Sequence, residues 1–98
     1  MKIAVTYENG QVFQHFGHTE QFKIYEAAEG KVVSARVVET GGSGHGALAG
    51  FLRGLGVDTL ICGGIGGGAR SALAEAGIQL YPGASGSADA QVEALLAG

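Results

Sequence analysis

The sequence predicts one α/β domain built on a mixed five-stranded sheet with helices on both faces. Three observations carry this. The first 40 residues read as strands and hairpins, the remainder alternates helical and strand periodicity, and the 98 residues supply one domain's length with 46% hydrophobic content. A domain of this size buries a core without disulfide or metal staples. The two halves differ in composition: residues 1–40 hold three glycines and nine charges, whereas residues 41–98 hold sixteen glycines and six charges. Each half is too small to fold alone, so both belong to a single domain, 1–98.

Lys2–Tyr7 is a short apolar run, as expected of a central buried strand. Gln21–Ala27 and Lys31–Glu39 are rich in β-branched and aromatic residues, and they flank a short hairpin connection at Ala28-Glu29-Gly30. Leu48, Phe51, Leu52 and Leu55 fall at i, i+3, i+4, i+7, one face of a helix. Val57–Cys62 is an apolar strand. Ala69, Ala72, Leu73 and Ala76 repeat the helical spacing, which Gly77 is placed to end. Ile78–Tyr81 is a short strand stopped by Pro82. Ala88, Val92, Leu95 and Leu96 mark a last helix with Ser87 as N-cap and Asp89 in its first turn. Two hairpins followed by right-handed crossovers give the strand order 3-2-1-4-5, which resembles the ribonuclease-H-like arrangement.

That topology sends segments 8–20, 40–46, 63–68 and 82–87 to one sheet edge, where open α/β sheets bind ligands. They contain His15, His18 and His45 and most of the glycines, with Cys62 ending a strand beside them. Imidazole is the commonest metal-binding side chain at neutral pH, and a thiolate would suit iron, copper or clusters containing them. The competing reading leaves the histidines solvated and Cys62 in the core. Gly63-Gly-Ile-Gly-Gly-Gly68 follows a strand and precedes a helix. It is read either as a tight turn or as a bed of backbone N–H groups at Gly63, Gly64, Gly66 and Gly67 for an anion or cluster. A binding module for a small anion or nucleotide is the alternative function at this loop. It lacks the Lys-Ser/Thr of a P-loop, and no acid at the end of the next strand is placed to hold a ribose.

Composition removes other classes. A formal charge of −3 excludes a large basic face for nucleic acid. No run approaches 18 apolar residues and no signal-peptide core is present, so a cytoplasmic protein without membrane association is expected. The first strand carries no acid within Lys2–Tyr7, against a two-metal nuclease. The Gly-x-Ser-x-Gly elbow of a serine hydrolase is missing. The edge of strand 31–39 could pair between chains to make a homodimer.

Together, His15-Phe16-Gly17, Phe22-Lys-Ile-Tyr25, Gly44-His45-Gly46, Gly56-Val-Asp-Thr-Leu-Ile-Cys-Gly-Gly-Ile-Gly66, Ala76-Gly-Ile78 and Tyr81-x-Gly83 resemble, in order and over nearly the whole chain, the dinitrogenase iron-molybdenum cofactor biosynthesis family. The resemblance implies a non-catalytic carrier of an iron-sulfur or molybdenum-iron-sulfur cluster, exchanging it with donor or acceptor proteins. It puts His15 first among ligands and His45 second, with His18 at a position where family members vary.

Overall fold

The computed structural model describes residues 1–41 and 45–98, the side chain of His45 excepted. It contains β1 (Lys2–Glu8), β2 (Gln11–Val12), a 3-10 turn (Phe16–His18), β3 (Gln21–Ala28), β4 (Lys31–Glu39), α1 (His45–Gly54), β5 (Thr59–Ile61), α2 (Gly67–Glu75), β6 (Gln79–Tyr81) and α3 (Ala88–Ala97). The sheet is mixed and runs β4-β3-β1-β5-β6, with β2 paired separately to β1. Among the described residues it therefore has six strands where five were expected. The sixth, β2, lies in the segment read as loop.

Local chemistry explains the hairpins. Glu29 and Gly30 have φ of 54° and 77°, the two positive values that a two-residue turn matched to strand twist requires. Asn9 and Gly10, at 49° and 85°, build the same turn between β1 and β2. β1 pairs antiparallel with β3 and parallel with β5. Its side chains alternate between two cores. Ile3 and Val5 join Val12, Tyr25, Ile61, Ala88 and Val92 beneath α3. Ala4 joins Phe16, Phe22, Leu48, Leu52, Leu60 and Leu73 beneath α1 and α2. The helices thus cover opposite faces, and a central strand buried on both sides reads as the unbroken apolar run seen in the sequence.

α3 is fixed at its start. Ser87 accepts a hydrogen bond from the Ala90 N–H at 3.2 Å, as an N-cap should. Within the first turn, the Asp89 carboxylate accepts from Lys23 Nζ at 2.8 Å and from the Tyr25 hydroxyl at 2.5 Å. These bonds hold Asp89 below the ordinary carboxylate range, while burial first and Asp89 second push Tyr25 well above its usual value.

Candidate functional site

The arm from Gly10 to Thr19 is laid across the ends of β1 and β5 and the start of α3 by backbone hydrogen bonds. Val12 N–H donates to Gly86 O at 2.8 Å, and Ala88 N–H donates to Gly10 O at 3.0 Å. Thr6, wholly buried on β1, grips the arm twice: its hydroxyl donates to Phe13 O at 2.8 Å, and its carbonyl accepts from Phe13 N–H at 2.9 Å. The buried hydroxyl is thereby satisfied and the arm is held in place.

The arm then bonds to the glycine loop. Gly64 N–H donates to Gln14 O at 2.8 Å, and Phe16 N–H donates to Gly64 O at 3.1 Å, a short parallel bridge centred on His15 and Gly64. Its closeness explains the first two glycines. A Cβ on Gly63 would stand 2.8 Å from the Gln14 Cα, and one on Gly64 would stand 3.0 Å from the Gln14 carbonyl oxygen. No side chain fits against a backbone at the first distance. The Gln14 amide completes the stitch by donating to Val12 O at 3.2 Å and Ala84 O at 3.1 Å.

The remaining glycines behave differently. Gly66, Gly67 and Gly68 are exposed, and a Cβ on any of them would meet nothing within 4 Å. Gly66 is the N-cap of α2, with extended φ −83° and ψ 165° and no side chain capping the helix. Among the described residues the first N–H groups of α2 therefore have neither intrahelical nor side-chain partners, and they form the positive end of the helix dipole. Beside them is a cleft of about 170 Å³ lined by Phe16, Gly17, Gly66, Gly68 and Ala69.

His15 and His18 stand at the two ends of the 3-10 turn and both are exposed. His18 N–H donates to His15 O at 2.9 Å, which folds the two residues together. Their ring centroids are 6.4 Å apart and nearly perpendicular, with Phe13 edge-on to His15 at 6.2 Å. Buried Phe16 anchors the turn between them in the α1–α2 core.

The structure departs from the sequence reading at three residues and leaves a fourth undescribed. Cys62 does not reach the edge: it is fully buried, and burial pushes its thiol up to about 11 against a smaller opposing effect of the Arg70 charge. A neutral, enclosed thiol is a core group, not an available thiolate. Gly64 cannot offer its N–H to a ligand because that donor is already bonded to Gln14, and Gly63 is buried beneath the same residue. His45 opens α1, but its side chain lies outside the described residues, as do Gly42, Ser43 and Gly44. Arg70, exposed in the first turn of α2, was not singled out from the sequence. Its position three residues after Gly67 in a helix that starts at the glycine loop was the available signal.

Comparison with known proteins agrees with this architecture. The sequence model of the family described as dinitrogenase iron-molybdenum cofactor matches residues 1–98. The FeMo cofactor biosynthesis protein NifB of Sinorhizobium fredii is 40% identical over 87 residues, 81% of this chain. This chain spans only 18% of the length of that relative. An uncharacterised protein of Methanocaldococcus jannaschii is 32% identical, covering all of this chain and 87% of its own. The apo form of the orange protein of Desulfovibrio gigas superposes with a TM-score of 0.87 at 30% identity, over 99% of this chain and 88% of that one.

Proposed function

Since the chain belongs to the dinitrogenase iron-molybdenum cofactor family, we propose that it binds a metal-sulfur cluster or an iron-molybdenum-cofactor-like precursor at the His15 edge and hands it on without turnover. The observation that carries this reading is the pairing of exposed imidazoles with an uncapped helix start. His15 is fixed by the bridge to Gly64, and the same loop continues into the open glycines that begin α2. A preformed anionic cluster needs few protein ligands. One or two imidazoles on metal, and the N–H groups of Gly67 and Gly68 on sulfide, supply both kinds of contact. The exposed Arg70 adds a positive charge in the first turn of α2. The relatives support cargo handling: one is named for FeMo cofactor biosynthesis, and another was solved as an apo form.

The ligand set is proposed as His15 first, then His18, with His45 assisting from the start of α1. Cys62 is left out because its thiol is enclosed. The fold is read as ribonuclease-H-like, and the lack of any carboxylate in Ile3–Tyr7 of its central strand supports binding over hydrolysis. A cytoplasmic carrier exchanging cargo with a donor or acceptor protein follows. Among the described residues no helix is long and apolar enough to cross a membrane.

The uncapped α2 N-terminus also favours a second reading, a small-anion or nucleotide module. Substituting His15→Ala separates the two. Supplying Fe(II), molybdate and sulfide without oxygen and titrating visible absorption should show saturable binding by the wild type and at least tenfold weaker binding by H15A, about 1.4 kcal/mol. Absence of retention by the wild type sinks the cluster reading. Unchanged anion binding in H15A would support the alternative.

A further inference from the structure

We infer that β4 is the pairing edge of a two-fold homodimer in which two copies join antiparallel about Ala35. This inference is independent of the cargo assigned above.

β4 is a nine-residue strand at the end of the sheet, bonded among the described residues to β3 on one side only. The opposite edge, β6, has three residues. Long free edges are ordinarily shortened, covered or broken by charge, because they template pairing with another chain. Here the edge is long and carries exposed apolar side chains among its charged ones. Val33 and Val37 are 65% and 43% exposed, and Ala35 between them is also exposed.

The order of residues specifies the occupant. Lys31-Val-Val-Ser-Ala-Arg-Val-Val-Glu39 has the same apolar pattern in both directions about Ala35, with opposite charges at its ends. Antiparallel pairing of two copies about that residue sets Val33 against the partner's Val37, Ala35 against the partner's Ala35, and Ser34 against the partner's Arg36. It also brings Lys31 to the end of the ladder where the partner's Glu39 lies. The paired core is 33–37. The irregularity falls at its first residue: the β3–β4 register shifts between Glu26 and Ala27 and leaves Val33 as the extra residue, so the regular pairing is centred on 34–36.

A second complementarity follows from the register inside each copy. Glu26 is opposite Ser34, whose hydroxyl donates to the Glu26 carboxylate at 3.2 Å, and Ile24 is opposite Arg36. In the joined sheet one cross-strand row therefore reads Ile24, Arg36, the partner's Ser34, the partner's Glu26. Strands are about 4.8 Å apart, so Arg36 can reach over the small serine to the partner's Glu26, twice about the axis. On the other face Val37 and Ala35 join the partner's Val33 and Ala35 into one apolar stripe. A partner of different sequence would have to reproduce both patterns, whereas a second copy supplies them by symmetry.

Ala35 on the axis gives a direct test. Directly opposite residues of an antiparallel pair stand about 4.5–5.5 Å apart at Cα, a spacing a disulfide bridges. With oxidised glutathione, A35C should form a covalent dimer at least tenfold faster than V37C, whose own copy is four positions away in the ladder. Sedimentation of the wild type should show a reversible dimer with a dissociation constant below about millimolar, weakened about tenfold by R36E. Circular dichroism confirms that each variant is folded. The inference is overturned by a wild type that stays monomeric, by equal cross-linking of A35C and V37C, or by dimerisation indifferent to R36E.

Discussion

The two ends of the glycine run do different jobs with the same residue. Gly63 and Gly64 are there because another piece of backbone occupies the space a side chain would need. Gly66, Gly67 and Gly68 have that space free and leave the start of α2 open to whatever approaches from solvent. The first pair positions the histidine arm, and the second group provides donors beside it. Glycine enrichment alone thus does not mark a ligand bed. What surrounds each missing Cβ decides whether it serves packing or binding.

Substitution at Gly63 should have the largest effect on folding. In G63A the new Cβ meets the Gln14 Cα, which cannot swing aside as a side chain can. We expect a loss of roughly 1–3 kcal/mol, as for overpacked sites. At about 4–8 °C per kcal/mol in a domain of this size, calorimetry resolves this readily. The same variant should weaken cargo retention, because the arm holding His15 is displaced.

Gly67 tests the open end. Proline is accepted at the first position of a helix, and the extended φ and ψ of Gly66 suit a residue preceding proline. G67P should therefore keep or slightly raise the melting temperature while deleting one N–H donor. Loss of a hydrogen bond to a charged acceptor predicts binding about tenfold weaker in the absorption titration. A G67P protein that is unstable, or that binds normally, would break the distinction between the two ends of the loop.

Cys62, immediately before the run, should show the smallest and most condition-dependent effect. Its thiol is raised by burial from an ordinary value of 9.0 to about 11, so the folded state holds this proton more tightly than the unfolded chain does. The associated stability is complete below pH 9.0 and declines as pH rises toward about 11. Denaturation across that interval should show the decline, and C62A should lack that component. At neutral pH, iodoacetamide should modify Cys62 only under unfolding conditions.

Much of this was legible where the signal is local. Ser87 announces the α3 cap, Gly30 the β3–β4 turn, and the apolar run at Lys2–Tyr7 the strand buried on both faces. Asn9-Gly10 was equally legible as a hairpin turn, yet β2 is two residues long and offers no alternation to read. The difference between Gly63 and Gly67 is of another kind. It depends on Gln14, distant in the sequence, and no local pattern encodes that approach. The placement of His18 beside His15 likewise comes from a single 3-10 turn, whose hydrogen bonds set a spacing that His-x-x-His alone leaves open.

The proposed cargo site joins the histidine arm to the open glycines. The most direct measurement is the iron, molybdenum and acid-labile sulfide content of wild-type and H15A protein purified side by side without oxygen. Metal and sulfide are expected in a fixed ratio with the wild type, and their loss is expected from folded H15A. Metal-free wild type, or equal content in both proteins, would contradict the proposal.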